Sequence, residues 1–186
     1  MHLILASASA RRAELLTSAG FTFVVEPADV DESVQPGEEP ARYALRVARN
    51  KAWARAAPDG DVAVLAADTV VVVDGQILGK PRDRDDARRM LEALSGRVHD
   101  VLTAVVLRAG SGAERSEVVT TRVHVAILEE ADVASYLATG EWEGKAGGYG
   151  IQGHAARYIE RIEGSWSNVV GLPIATVHRL INGFGG

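Results

Sequence analysis

Asp68 stands between two apolar runs, one closing at Ala66-Ala67 and one running from Val70 to Val73 after Thr69. A carboxylate there is costly to bury unless something offsets its charge. On pattern alone, a strand-end aspartate turned toward water is the simpler reading. Arg11 and Arg12 raise a second possibility, because they fall in the first turn of an amphipathic segment that follows Ser7 and Ser9. The start of a helix is its positive end, so cations are misplaced there. An anion held by backbone N–H groups, a serine hydroxyl and the arginines resolves the conflict. Glu32 closes an acidic loop with Asp29 and Asp31 and offers a hard oxygen ligand of the kind a metal-phosphate site needs. Lys51 lies close in helical angle to an apolar stripe, so its chain can reach under the core edge.

These residues form an inventory for phosphoryl chemistry on a nucleotide. Arg11, Arg12, Lys51 and Lys80 are cations able to neutralise phosphates, and Glu32 and Asp68 are acids able to hold magnesium or activate water. Gln152, in a glycine-dense stretch, adds an amide with both a donor and an acceptor. Other chemistries find less support. Gly148 to Gly153 spells G-x-G-x-x-G, yet it follows a glycine-rich loop and precedes a strand-like run, the reverse of a dinucleotide fingerprint. Gly144-Lys145-Ala146 has alanine where a phosphate loop needs serine or threonine. The five histidines show no metal-ligand spacing, and only His154, in the glycine-rich stretch, is worth watching. There is no G-x-S-x-G elbow and no cysteine, which removes thiolate zinc sites and disulfides.

The elements that must position these groups follow from punctuation and periodicity. Residues 2–6 read as a short buried strand, and the helix after it is capped by Ser9 or Ser7 and stopped by Gly20. Residues 21–25 form a strand. Pro40 opens a helix to about residue 57, ended by Pro58. Asp74-Gly75 is a two-residue hairpin signal with 76–78 as the return strand. A helix over 83–94, strands over 98–107 and 117–128, and a helix over 130–138 come next. Residues 140–153 are too rich in glycine for a regular element. A strand over 157–162, a loop over 165–171 and a helix over 173–181 complete the chain.

The 186 residues suffice for one domain or two small lobes, and the net charge of −5 argues against a general nucleic-acid binder. The N-terminal apolar run lacks a basic leader and is too short for a signal peptide. No stretch approaches a membrane span.

The motifs then resemble those of the Maf family. They are LASASARRAELL at 5–16, VDE at 30–32, ARNKA at 48–52, AADTVVV at 66–72, LGKPRD at 78–83, LSGRVHDVLTAV at 94–105, KAGGYGIQG at 145–153 and GSWSNVVGLP at 164–173. They stand in family order and cover nearly the whole chain. Ala10 departs from the proline of many members, and 166–168 is a variable part of its loop. The resemblance implies an α/β fold like that of the inosine triphosphate pyrophosphatases: an elongated mixed sheet flanked by helices, one Maf-like domain over 1–186 with two lobes around one cleft. It implies a pyrophosphatase that cuts nucleoside triphosphates between the α and β phosphates, with Mg2+ or Mn2+. By the same resemblance Asp68 matches the proton acceptor. Ser7, Arg11, Glu32, Lys51 and Lys80 match other polar site positions, with Glu32 and Asp68 toward the metal. Arg12, Thr69 and Gln152 match positions that set base preference and point to the branch acting on dTTP and UTP. A cytoplasmic homodimer, without nucleic-acid or membrane partners, is expected. Two other readings use the same residues: a pyrophosphatase for modified purine triphosphates such as 7-methyl-GTP, and a non-catalytic nucleotide-binding regulator of cell division.

Overall fold

The computed structural model describes residues 2–55 and 62–184. The chain is mixed α/β, as its alternating patterns predict. Its strands are β1 (His2–Leu5), β2 (Phe23–Val25), β3 (Val62–Val73), β4 (Gln76–Leu78), β5 (Val98–Ala109), β6 (Glu114–Val125) and β7 (Ile159–Glu163). Its helices are α1 (Ala10–Ser18), α2 (Pro40–Trp53), α3 (Arg84–Leu94), α4 (Glu130–Ala138), α5 (Trp166–Val170) and α6 (Ile174–Asn182). The strands pair in the order β2-β1-β3-β5-β6-β7, with β4 added to β3. β1 runs parallel to β2 and β3, with Leu5 opposite Leu65, whereas β3–β4 and β6–β7 are antiparallel.

Local chemistry sets most boundaries. Pro40 occupies the first turn of α2, where its missing N–H costs nothing. The Asp83 carboxylate caps α3 by accepting the Asp86 N–H at 2.7 Å. Asp74 (φ 49°) and Gly75 (φ 77°) both take the left-handed conformation that a tight hairpin requires between β3 and β4.

Several expectations need correction. The two apolar runs around Asp68 are one continuous strand, β3, because its neighbours in the sheet extend pairing past the acid. α2 ends at Trp53, while residues 56–57 and the expected stop at Pro58 lie outside the described residues. β6 begins at Glu114 and ends at Val125, not 117–128. The segment expected as a strand over 157–162 is divided between a 3-10 turn, His154–Tyr158, and β7. The expected loop over 165–171 contains α5. There the Ser165 hydroxyl accepts the Asn168 N–H, and the Asn168 amide donates to the Val101 carbonyl at 2.9 Å and the Thr121 hydroxyl at 3.0 Å. Ser165 is a local cap, but Val101 and Thr121 are distant in sequence, so the contacts that hold the short helix leave no local signal. The glycine-dense stretch holds one short 3-10 turn, Ala146–Gly148.

The chain divides into two compact units. The first is Met1–Asp68, Thr103–Val119 and Gly171–Gly186, and the second is Thr69–Leu102 and Thr120–Val170. Leu5, Leu16, Val47, Leu65, Leu107 and Leu172 are buried in the first. Val71, Leu91, Leu94, Val101, Val123 and Tyr136 form a core in the second. Among the described residues, no helix is long and apolar enough to cross a membrane.

Candidate functional site

In the first unit, β1 ends and turns into α1, and the parallel register of β1 on β3 brings Ser7, past the carboxyl end of β1, level with Asp68 in the middle of β3. Carboxyl ends of parallel strands are where open α/β sheets place ligands. From Ala63 to Asp68 every residue of β3 is buried, so both faces are covered and the acid keeps only a narrow opening to water. Asp68 is 7% exposed, which overturns the simpler reading of a solvent-facing strand end.

Its charge is met by Lys51, whose Nζ lies 2.7 Å from Asp68 Oδ1 and 2.6 Å from Glu32 Oε1. Helical spacing explains the lysine's place. The buried positions of α2 are Tyr43, Ala44, Val47, Ala48, Lys51 and Ala52, so Lys51 emerges on the apolar side and in the last turn, where the helix end favours a cation. Burial pushes the Asp68 carboxyl above the ordinary aspartate range, while Lys51 and then Arg12 pull it back and the Glu32 charge adds to the rise.

Arg12 is also buried. Its Nε donates to the Gly171 carbonyl at 2.8 Å and its Nη1 to the Ser7 hydroxyl at 3.1 Å. Burial pulls the guanidinium below its usual value, and the Asp68 charge offsets this. An arginine stays charged even so. Ser7 Oγ also accepts the Ser9 N–H at 3.2 Å. Ser9 is the N-cap residue of α1 but makes no side-chain cap bond, so the serine of the pair that touches the helix start is Ser7. With both lone pairs engaged, Ser7 faces an incoming anion as an O–H donor. Arg11 is half-buried beside it on α1, close enough for Arg12 to feel its charge.

The structure therefore brings together Ser7, Arg11, Arg12, Glu32, Lys51 and Asp68. It adds two groups that sequence reasoning passed over. The Tyr43 hydroxyl donates to the Glu32 carbonyl at 2.7 Å, which fixes the acidic loop over α2. Burial, with the Asp68 and Glu32 charges, pushes this phenol up to about 12, so it remains a donor. Tyr43 lies eight residues before Lys51 on the same helical stripe, a signal that was present in the spacing. The other group is the Gly171 carbonyl, 159 residues from Arg12, for which no local signal exists.

Three expected residues lie in the second unit. Thr69 follows Asp68 on β3 and is partly buried. Lys80 is exposed just after β4, and Gln152 is exposed in the turn that ends the glycine-dense stretch. The segments that carry these last two meet at one backbone bond, where the Gly147 N–H donates to the Gly79 carbonyl at 3.0 Å.

Among the described residues, no three His, Cys, Asp or Glu side chains form a metal cage. Glu32 and Asp68, however, both reach one position, now that of the Lys51 ammonium. Two carboxylates are what Mg2+ uses when substrate phosphates and water supply its other oxygens. Because the Lys51 ammonium holds that shared position, a divalent cation arriving with a phosphate chain would be held by the carboxylate oxygens of Glu32 and Asp68 that Lys51 does not contact.

A buried acid on a central strand, an ammonium shared by two carboxylates and paired arginines at a helix start define an α/β protein built to hold a polyanion. The chain belongs to the Maf-like protein family, whose profile it matches over residues 2–184. A relative from Anaeromyxobacter dehalogenans is 54% identical over 183 residues, 97% of this chain and 92% of its own length, and is named dTTP/UTP pyrophosphatase. One from Koribacter versatilis, with the same name, is 51% identical over 97% of this chain and 93% of its own. Among solved structures, the Staphylococcus aureus Ham1 protein aligns with a TM-score of 0.47 and 14% identity, covering 68% of this chain and 72% of that one.

Proposed function

We propose that this chain is a nucleoside triphosphate pyrophosphatase that hydrolyses dTTP and UTP to the monophosphate and pyrophosphate. The observation that carries the chemistry is the buried Asp68 carboxylate paired with Lys51, which in turn holds Glu32. The substrate class comes from the relatives' shared name.

In the proposed reaction, water attacks the α-phosphorus. Asp68 accepts its proton, a new P–O bond forms, and the bond from the α-phosphorus to the α–β bridging oxygen breaks. The leaving pyrophosphate takes the electron pair. A base works best when its pKa approaches the working pH. The burial that raises Asp68 moves it that way, and Lys51 keeps it ionised. Arg11, the Ser7 hydroxyl and the α1 start bind phosphate oxygens, and Arg12 holds Ser7 in place from behind. A divalent cation, held by Glu32 and Asp68, would neutralise the triphosphate and polarise its phosphoryl oxygens. Lys80 is assigned to the leaving phosphates, and Thr69 and Gln152 to the base, on their match to family motifs. The Gln152 amide can pair with the N3–H and a neighbouring carbonyl of uracil or thymine. A homodimer in the cytoplasm is proposed with this activity, on the family resemblance.

The test is Asp68→Asn, which keeps the side chain's shape. Pyrophosphate release from dTTP should fall by about 10²–10⁴-fold while thermal unfolding stays cooperative. Turnover near that of the wild type would refute Asp68 as the base. A panel of dTTP, UTP, CTP, dGTP and 7-methyl-GTP reads the substrate class directly.

A further inference from the structure

His99, on β5, has no part in the chemistry above, yet it is 2% exposed. Its Nε2 lies 2.7 Å from the Tyr149 hydroxyl, and the two rings meet edge to face with centroids 5.4 Å apart. Its Nδ1 is buried with no hydrogen-bond partner among the described residues. Desolvation lowers the imidazole to about 4, so it is neutral and carries one N–H. The tautomer decides which of Nε2 and the Tyr149 hydroxyl donates in this bond. A leucine of similar volume would remove the orphaned Nδ1 but leave the buried Tyr149 hydroxyl without this partner. A fold that keeps an imidazole here keeps it for the bond it makes.

That bond ends on the glycine-rich segment 145–153. Tyr149 is the segment's one large side chain that is fully buried. Its backbone adds two bonds, the Gly147 N–H donating to the Gly79 carbonyl and the Gly150 N–H to the Tyr136 hydroxyl at 3.2 Å, while the Lys145 ammonium donates to the Glu141 carbonyl and Ala146 and Ile151 pack on the core. Beyond it, the His154 N–H donates to the Glu141 carboxylate at 2.9 Å. Gln152 stands between the last two anchors. Tyr136 and Tyr149 both line a cavity of about 20 Å³. The Tyr149 hydroxyl is held by its bond to His99.

We propose that His99 is a positioning residue for base selection: its bond to the Tyr149 hydroxyl sets the 145–153 segment, and through it the Gln152 amide. This rests on the reading of Gln152 as the group that contacts the base.

Tyr149→Phe removes only the hydroxyl, His99→Leu removes the imidazole, and His99→Gln puts an amide nitrogen near the place of Nε2. The ratio of kcat/KM for dTTP over dGTP should fall about 10-fold in Tyr149→Phe and His99→Leu, through a higher KM for dTTP. The double variant should fall no further, because one bond has been removed twice. His99→Gln should regain most of the ratio. Amide exchange across 145–153 should quicken in the first two variants. A ratio within about twofold of wild type in Tyr149→Phe, or unchanged exchange there, overturns the proposal. Gln152→Glu separates the two readings. If it shifts the ratio and Tyr149→Phe does not, the positioning role fails and base reading stands. If it leaves the ratio unchanged in an active enzyme, base reading fails and the positioning proposal falls with it.

Discussion

Replacing Lys51 by methionine removes an ammonium and leaves Asp68 in place. At an effective dielectric constant of about 20, two unit charges at that separation attract by about 6 kcal/mol before desolvation is counted. The separation is 2.7 Å, and both side chains are 9% exposed. Desolvation consumes much of this in the intact pair, but truncating one partner of a buried pair typically costs about 3–5 kcal/mol, because the other charge stays buried. Glu32, with 38% of its side chain exposed, keeps water when Lys51 leaves and adds little. The expected loss is therefore about 3 kcal/mol, nearly all of it from Asp68. Its pH dependence has a definite sign. Asp68 already titrates above its ordinary value in the fold, and losing Lys51 raises it further. A group whose folded pKa is raised contributes stability below its unfolded pKa, and that stability is lost as pH rises through the folded value. The deficit of Lys51→Met should thus be small near pH 4 and full near pH 8. Urea unfolding across that range measures it. Lys51→Met with Asp68→Asn should recover most of the loss, since no unpaired charge remains. A Lys51→Met protein within about 0.5 kcal/mol of wild type at both ends would refute a low-dielectric site around Asp68.

Two further outcomes follow from the second unit. His99 is lowered from 6.5 to about 4, so its contribution to stability is present above pH 6.5 and lost as pH falls through about 4. The loss should reach about 3 kcal/mol, and His99→Leu should flatten that part of the stability-against-pH curve; an equally steep curve would show that other groups set it. Gly147 has φ of +68°, and a Cβ there would lie 3.0 Å from both methyls of Val71. Gly147→Ala should cost about 1–3 kcal/mol by denaturant unfolding, and a neutral result would mean that the segment shifts freely.

Much of this molecule was legible in one dimension. Proline at the start of α2, the aspartate cap of α3 and Asp74-Gly75 between β3 and β4 act over a few residues, so their meaning does not depend on the rest of the fold. Helical spacing likewise determined that Lys51 would leave α2 on its buried side. The motifs marked the residues, and the family match extends across 2–184. What the tertiary structure decided is partnership. Parallel register put Ser7, just past β1, level with Asp68 within β3, and Lys51 met two acids, Glu32 and Asp68, from separate segments. Arg12 reached a carbonyl at Gly171, α5 formed on contacts from Val101 and Thr121, and Tyr149 found His99. Burial and pairing depend on which distant groups share a volume, and a local pattern carries no record of that.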